Sequence, residues 1–247
     1  MRHLASERHE ARDSVDRSET QIGFVGFQKL TQLDLTGPYE TLARLPRTKV
    51  HIIAKRLEPI RSDTGLAIQP TVSFSDCPAL DLLCVPGGPG VNEAMLDEET
   101  LTFLRGKAST ARYVTSVCSG ALILGAAGLL GGYRATTHWA SLEFLSRFGA
   151  IPVRERICVD RNRVTGGGVT AGIDFGLYLA AQLRGQAVAE RIQLYLEYAP
   201  APPFAAGTPE TAPKEVRDAY VEAAAGMMDR RAEAVERAAA ALARRAS

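Results

Sequence analysis

The chain has 247 residues, with 29 basic and 28 acidic side chains, a formal net charge of +1 and 46% hydrophobic residues. That length fits one domain with or without extensions, and the nearly balanced charge gives no indication of a nucleic-acid partner or a membrane surface. No run of about 18 apolar residues occurs, so the sequence predicts no membrane-spanning helix.

The cysteine and histidine content narrows the chemistry. The cysteines Cys77, Cys84, Cys118 and Cys158 have no C-x-x-C spacing and are too sparse for a disulfide scaffold, which favours a reducing, cytoplasmic location. The four histidines form no metal-binding motif, alone or with the cysteines. We therefore expect neither a metal site nor a cofactor.

In chain order, residues 1–20 are polar and charged without periodicity, which predicts a disordered leader. Residues 21–200 alternate strand-like and helix-like patterns. This alternation predicts an α/β fold, a doubly wound and mostly parallel sheet with helices on both faces. Residues 201–247 are predicted to hold a proline-rich linker and one amphipathic C-terminal helix over 215–245.

The individual elements follow from apolar periodicity and from the turn residues between them. The predicted strands are 22–27, 50–54, 82–85, 113–117, 157–159 and 164–165. The predicted helices of the core are 38–43, 101–109, 119–127, 139–147, 170–183 and 186–197.

One stretch places a cysteine on a strand-to-helix turn. The β-branched run Tyr113–Val117 stops at Cys118, and Gly120 opens a helical pattern. This is the arrangement of a nucleophile elbow, with sulfur in place of a serine oxygen. The helix N-terminus favours negative charge, so we expect Cys118 to be a thiolate near neutral pH. The alternative is a buried structural cysteine.

Two further features lie after predicted strands. The glycine-rich run Val85–Gly90 could supply half of an oxyanion hole, with the Ser119 N–H as the other half; a phosphate-binding loop and a plain tight turn are the alternatives. Asp34 lies between two leucines, either as a helix cap or as an acid with a raised pKa. If Asp34 faces Cys118, we expect it to stay protonated and to act as a proton donor.

His138, in the run Thr136–Trp139, is the one histidine placed to act in catalysis. It could serve as a base for Cys118 or could support the site without touching substrate. Residues 165–170 are predicted to form a tight turn into a helix capped by Thr170, with lining of the pocket as an alternative.

The chain carries, in order, the motifs Gln32–Pro38, Val85–Gly88, Ser116–Gly120, Ala135–Trp139 and Thr165–Gly168. In this order they resemble the DJ-1/PfpI superfamily, and the resemblance covers residues 20–200. The Asp34 motif, the Cys-Ser-Gly elbow and the later run Leu196–Phe204 are most similar to its isonitrile hydratase subgroup.

The resemblance implies a flavodoxin-like fold in which Cys118 is the nucleophile and Asp34 its acidic partner. It implies that the backbone N–H groups of Gly88 and Ser119 face the reacting centre. The implied activity is hydration of a small-molecule isonitrile to an N-substituted formamide through a cysteine thioimidate. No cofactor is implied, and a homodimer is usual. Proteases of the superfamily have histidine directly after the nucleophile, where this chain has Ser119.

Other functions were weighed against this one. A DJ-1-like redox sensor or aldehyde-adduct hydrolase is compatible with the elbow cysteine. A sensor domain related to AraC-type transcription regulators shares the Thr-Thr-His-Trp motif, but residues after Pro200 are predicted to form one helix rather than a helix-turn-helix extension. A glutamine amidotransferase would need a His-x-Glu motif after the cysteine, and none follows Cys118.

Overall fold

The computed structural model describes residues 19–246. Residues 1–18 of the predicted leader lie outside the described residues. The strands are β1 Thr20–Val25, β2 Thr48–Ala54, β3 Ile60–Arg61, β4 Ala67–Ile68, β5 Val72–Ser73, β6 Leu82–Val85, β7 Tyr113–Val117, β8 Arg134–Ala135, β9 Ile151–Pro152, β10 Ile157–Asp160 and β11 Arg163–Gly166. The helices are α1 Gln32–Leu42, α2 Val91–Ala94, α3 Glu98–Ala108, α4 Gly120–Ala126, a 3-10 helix Trp139–Phe148, α5 Ala171–Arg184, α6 Gln186–Tyr195 and α7 Lys214–Ala246.

Seven strands form the central sheet in the order β10-β11-β7-β6-β1-β2-β5. All neighbouring pairs are parallel except β10 with β11, which places the antiparallel strand at one edge. This confirms the predicted α/β fold with a mostly parallel sheet. Parallel neighbours require crossover connections, and the helices that supply them cover the sheet.

The strand interiors bury side chains on both faces. In β6, Leu83 and Val85 pack with α3, α4 and α7, whereas Leu82 and Cys84 pack with α1, α5 and α6. These four side chains are completely buried. A strand covered on both faces forms a continuous apolar run, which is why β6 was predicted at its observed bounds. The bounds of β7 were also predicted correctly, from its β-branched residues.

Helix α1 begins earlier than the sequence predicted. The sequence predicts a helix over 38–43, which would have Pro38 at its first position, where proline is common. The structure instead places Pro38 inside α1, six residues after the helix begins at Gln32. Pro38 lies against α5, where a β-carbon added to Gly172 would be 2.9 Å from Pro38 Cδ. This close packing offsets the hydrogen bond that the proline cannot donate.

Two other elements differ from prediction in detail. Residues 139–148 form a 3-10 helix, whereas the sequence predicted a helix over 139–147 without its type. Ten residues are too few for sequence periodicity to distinguish 3.0 from 3.6 residues per turn. The C-terminal helix α7 spans 33 residues and packs on α2, α4 and the 3-10 helix. Within residues 19–246 no helix combines the length and the apolar composition that crossing a bilayer requires.

Candidate active site

The candidate site lies where the carboxyl ends of four adjacent parallel strands meet. β11, β7, β6 and β1 are neighbours, and their last residues are Gly166, Val117, Val85 and Val25. Ligand sites of open α/β sheets occur at this edge. The topology therefore brings the loops that carry Cys118, Gly88 and Asp34 to one place.

Cys118 adopts a backbone conformation that is rare for a residue with a side chain. Its φ is 55°, in the left-handed region. The surrounding backbone holds this conformation: the Cys118 N–H donates to the carbonyls of Gly167 at 2.8 Å and Gly166 at 3.1 Å, and the Cys118 carbonyl accepts from Thr137 Oγ1 at 2.7 Å. Such constrained residues cluster at functional sites. The structure thus has the sharp turn between β7 and α4 that the sequence predicted.

Asp34 is completely buried in the first turn of α1. Its Oδ2 accepts from the Gly87 N–H at 3.0 Å, while Oδ1 has no conventional hydrogen-bond partner among the described residues. Burial raises the pKa of Asp34 from 3.8 to about 7, against the lowering effects of the Cys118 thiol and the Gly87 N–H. Of the two predicted roles, the burial of Asp34 favours the acid with a raised pKa. Thr31, not Asp34, occupies the N-cap position.

The expectation that Cys118 is a thiolate near neutral pH was wrong. Burial raises the pKa of the Cys118 thiol, and the charge of Asp34 raises it further. The Ser119 N–H and Arg231 lower the pKa, but the helix N-terminus does not outweigh desolvation. Cys118 and Asp34 are coupled, so the pKa of about 7 marks the loss of the first proton of the pair, and the raised pKa of Cys118 keeps the thiol protonated at that pH.

The glycine loop after β6 contacts Asp34 and Ser119, the residue that follows Cys118. A β-carbon on Gly87 would lie 2.5 Å from the Ser119 nitrogen and 2.9 Å from Asp34 Oδ2, so only glycine fits between them. Gly88 has a φ of 126°, and its N–H donates to Ser119 Oγ at 3.0 Å. The Ser119 N–H is directed at the Cys118 sulfur. Of the two N–H groups predicted to face the reacting centre, that of Gly88 is therefore occupied by the Ser119 hydroxyl.

His138 makes no hydrogen bond to either member of the pair among residues 19–246. Its Nδ1 accepts from the Ala140 N–H at 3.3 Å, and the pKa of His138 is lowered by burial and by Arg231. In the described part of the chain no hydrogen bond joins His138 to Cys118. Its ring packs instead with those of Trp139 and Tyr220, with centroids 5.7 Å and 6.3 Å away. His138 is thus placed as part of an aromatic wall.

The turn after β11 holds the backbone of Cys118 in place. The carbonyls of Gly166 and Gly167 fix the Cys118 N–H as described above, and Thr165 Oγ1 accepts from the Thr136 N–H at 2.9 Å. Thr170 occupies the N-cap position of α5 but makes no capping hydrogen bond. Its hydroxyl instead accepts from Arg156 Nη2 at 3.4 Å. The predicted position of Thr170 at the helix start is confirmed, but the expected capping hydrogen bond is not formed.

Two residues of the site come from α7 and were not predicted. Arg231 is 4% exposed, and its charge lowers the pKa of Cys118. Tyr220, about three turns earlier, packs on Trp139 with ring centroids 5.3 Å apart, and Cys118 raises its pKa. No motif contains either residue. The only indication in the sequence was that Arg231 shares one helical face with Ala234, Val235 and Ala238.

The family model of the DJ-1/PfpI family matches residues 20–182, which is most of the chain. The chain belongs to the DJ-1/PfpI family. It is 57% identical over 222 residues to the isonitrile hydratase of Pseudomonas putida, covering 90% of this chain and 97% of that protein. A solved ThiJ/PfpI family protein from Pseudomonas syringae is 46% identical with a TM-score of 0.86, covering 95% of this chain and 98% of that one.

More distant DJ-1/PfpI relatives are similar over a smaller part of the chain. The HTH-type transcriptional regulator GbdR of Pseudomonas aeruginosa is 29% identical, with 72% of this chain matched to 50% of the regulator. The oxidised DJ-1 of Toxoplasma gondii is 20% identical with a TM-score of 0.65 over 73% of this chain and all of that one, a likeness of fold. Tyr220 and Arg231 lie outside the residues that the DJ-1/PfpI model matches.

Proposed function

We propose that this protein is an isonitrile hydratase, which converts R–N≡C and water into the formamide R–NH–CHO. The observation that carries the proposal is the buried pair of Cys118 and Asp34, whose carboxyl has a pKa of about 7. An isonitrile carbon must receive both a nucleophile and a proton, and this pair holds one of each. The 57% identity to the Pseudomonas putida isonitrile hydratase, across nearly the whole of both chains, supports the same substrate class.

In the first step, the sulfur and the proton are both added to the terminal carbon of the isonitrile. In the form of the pair that holds one proton, the thiol proton passes to Asp34, leaving a thiolate and a carboxylic acid. The sulfur attacks the terminal carbon of R–N≡C while Asp34 delivers its proton to that same carbon. The product is the thioimidate R–N=CH–S bonded to Cys118, with Asp34 as a carboxylate.

The second step uses the carboxylate to activate water. Water adds to the thioimidate carbon; one of its protons ends on the nitrogen and the other on Asp34. The carbon–sulfur bond then breaks, which releases R–NH–CHO and restores the thiolate with a protonated Asp34. The Ser119 N–H stabilises developing negative charge, and release of the Ser119 hydroxyl would let the Gly88 N–H contribute as well. Each such donor is worth about 3 kcal/mol.

The wall formed by His138, Trp139 and Tyr220 supports an uncharged substrate. Its rings lie 5.3 to 6.3 Å apart and offer apolar surface next to Cys118 for the R group. We assign His138 to substrate contact rather than to proton transfer, because burial and Arg231 keep its pKa low and it therefore stays neutral.

Assembly and location are part of the proposal. We propose a homodimer, supported by the exposed apolar side chains Leu194 and Phe204, which are 81% and 80% exposed in the single chain. We place the protein in the cytoplasm, which agrees with four cysteines that are all unpaired.

The test of substrate class is formamide formation from a simple alkyl isonitrile, followed by NMR of the formyl proton. Wild-type protein with a reduced Cys118 should convert many equivalents of isonitrile per protein chain. A glycated amine and hydrogen peroxide should be offered in parallel. No formamide, with hydrolysis of the glycated amine or selective oxidation of Cys118, would replace this proposal by an adduct hydrolase or a redox sensor.

A further inference from the structure

A buried guanidinium joins three segments around the candidate site. Arg231 donates from Nη2 to the Gly88 carbonyl at 3.0 Å, from Nη1 to Ser141 Oγ at 3.0 Å and from Nε to Asn92 Oδ1 at 3.1 Å. The acceptors belong to the glycine loop, the 3-10 helix and α2. Only the planar fork of arginine reaches three acceptors in such different directions.

These three acceptors are neutral, so they satisfy the hydrogen bonds of Arg231 but not its charge. Among the described residues no carboxylate lies within salt-bridge distance of it, whereas the guanidinium is 4% exposed. Burial strongly disfavours a cation that has no opposite charge beside it. A buried charge kept despite this indicates that a nearby anion forms during function.

The groups that interact with this charge are known. Burial lowers the pKa of Arg231, whereas the charges of Cys118 and Tyr220 raise it; Arg231 in turn favours the ionised Cys118 and the neutral His138. Asp34, on the other side, opposes ionisation of Cys118. Arg231 is thus the cationic side chain among residues 19–246 whose charge supports a thiolate at the elbow.

Arg231 also fixes the backbone that positions the pair. It holds the carbonyl of Gly88, whose own N–H binds Ser119 Oγ. The adjacent Gly87 N–H binds Asp34 Oδ2. A shift of the Gly88 carbonyl would therefore move contacts to both Ser119 and Asp34.

We propose that Arg231 is a positioning residue for Cys118 and Asp34, which locks the glycine loop through the Gly88 carbonyl and serves as the counter-charge of the Cys118 thiolate. The role is built on the proposed function of Cys118 as nucleophile. It has consequences for thiol chemistry that do not require any isonitrile to be turned over.

The test is the pH dependence of alkylation of Cys118 by iodoacetamide, mapped to the Cys118 peptide by mass spectrometry. Arg231→Met removes both the charge and the forked hydrogen bonds, whereas Arg231→Lys keeps the charge. Arg230→Met is the control, because it removes an exposed charge from the neighbouring position. We expect Arg231→Met to slow alkylation at pH 8 at least about tenfold and to displace the profile to higher pH. The alkylation rate of Arg231→Lys should stay within about threefold of wild type, and that of Arg230→Met should equal the wild-type rate.

Two results would overturn the proposal. One is a folded Arg231→Met variant, checked by near-UV circular dichroism, with the wild-type alkylation profile. The other, decisive even if Arg231→Met does not fold, is an Arg231→Lys variant whose alkylation profile is displaced to higher pH, because the retained charge should keep the profile in place even though the fork is lost. Because no isonitrile is used, failure of the proposed substrate class would leave this result readable. With isonitrile present, Arg231→Lys should lower kcat while alkylation is retained, since the fork to Gly88 is lost.

Discussion

At the scale of single residues, the site depends on desolvation more than on the helix N-terminus. Cys118 sits at the start of α4, yet burial and Asp34 raise its pKa. The mechanism we propose needs no thiolate at rest, because the thiol proton passes to Asp34 as the sulfur attacks. This differs from the free thiolate that the sequence predicted.

The pH dependence of turnover follows from this pair. The reactive form holds one proton, and below about pH 7 a second proton must first be lost. We therefore expect kcat/KM of wild type to rise with pH through about 7, with about a tenfold fall per pH unit on the acid side. A profile that falls as pH rises through 7 would show that the fully protonated pair reacts.

Stability should depend on pH through the same carboxyl. Its pKa is raised on folding, so the native state gains protons relative to the unfolded chain, and stability is lost as pH rises from about 4 to about 7. Asn at this position does not titrate. The free energy of unfolding, measured in urea, should therefore increase for Asp34→Asn relative to wild type by about 2–3 kcal/mol between pH 5 and pH 8. A difference between the two proteins that does not change with pH would contradict the assigned pKa.

At the scale of elements, close helix packing sets the place of Asp34. α1 and α5 approach so closely that a β-carbon on Gly176 would lie 1.9 Å from Thr41 Oγ1 and 3.3 Å from Pro38 Cα. Gly226 in α7 is the matched control, because its nearest neighbour would be the flexible Arg230 Nη1 at 3.7 Å.

The two glycines should respond in opposite ways to alanine. We expect Gly176→Ala to lower the free energy of unfolding by about 1–3 kcal/mol through overpacking. Gly226→Ala should raise it by about 0.5–1 kcal/mol, because alanine is the better helix former. Thermal or urea unfolding measures both, and a Gly176→Ala variant as stable as wild type would show that α1 and α5 are not tightly coupled.

The elements differ in how well the sequence alone predicted them. β6 was predictable from a short apolar run bounded by turn residues, and β7 from its β-branched residues; the elbow followed from the end of β7. The start of α1 was not, since local preference for proline at a helix start competes with the tertiary contact of Pro38 on α5. Arg231 and Tyr220 were missed because their role exists only after α7 folds back on the core, which no local pattern encodes.

At the scale of the whole molecule, α7 completes a site whose other parts lie within the matched family region. The helix buries Ala234, Val235 and Ala238 against the core, and the same face carries Arg231 to the glycine loop. The remaining apolar surface at Leu194 and Phe204 is what we assign to dimer contact.

The proposed dimer gives a direct mass prediction. Light scattering after size exclusion should give twice the chain mass of 26.6 kDa for wild type. Leu194→Glu should shift the protein toward monomer, because a charge in an apolar interface is left unpaired, whereas Leu57→Glu, at another exposed position, should not. A wild-type monomer at micromolar concentration would contradict the assembly.

The most direct test of the central claim compares formamide turnover in Cys118→Ala, Asp34→Asn and Cys77→Ala. The last variant removes a buried cysteine outside the site and serves as the control. We expect no turnover above background without Cys118, a loss of about 10²–10⁴-fold without the Asp34 carboxyl, and wild-type turnover in the control. Turnover that survives in Cys118→Ala, or an Asp34→Asn variant as fast as wild type, would contradict the paired mechanism.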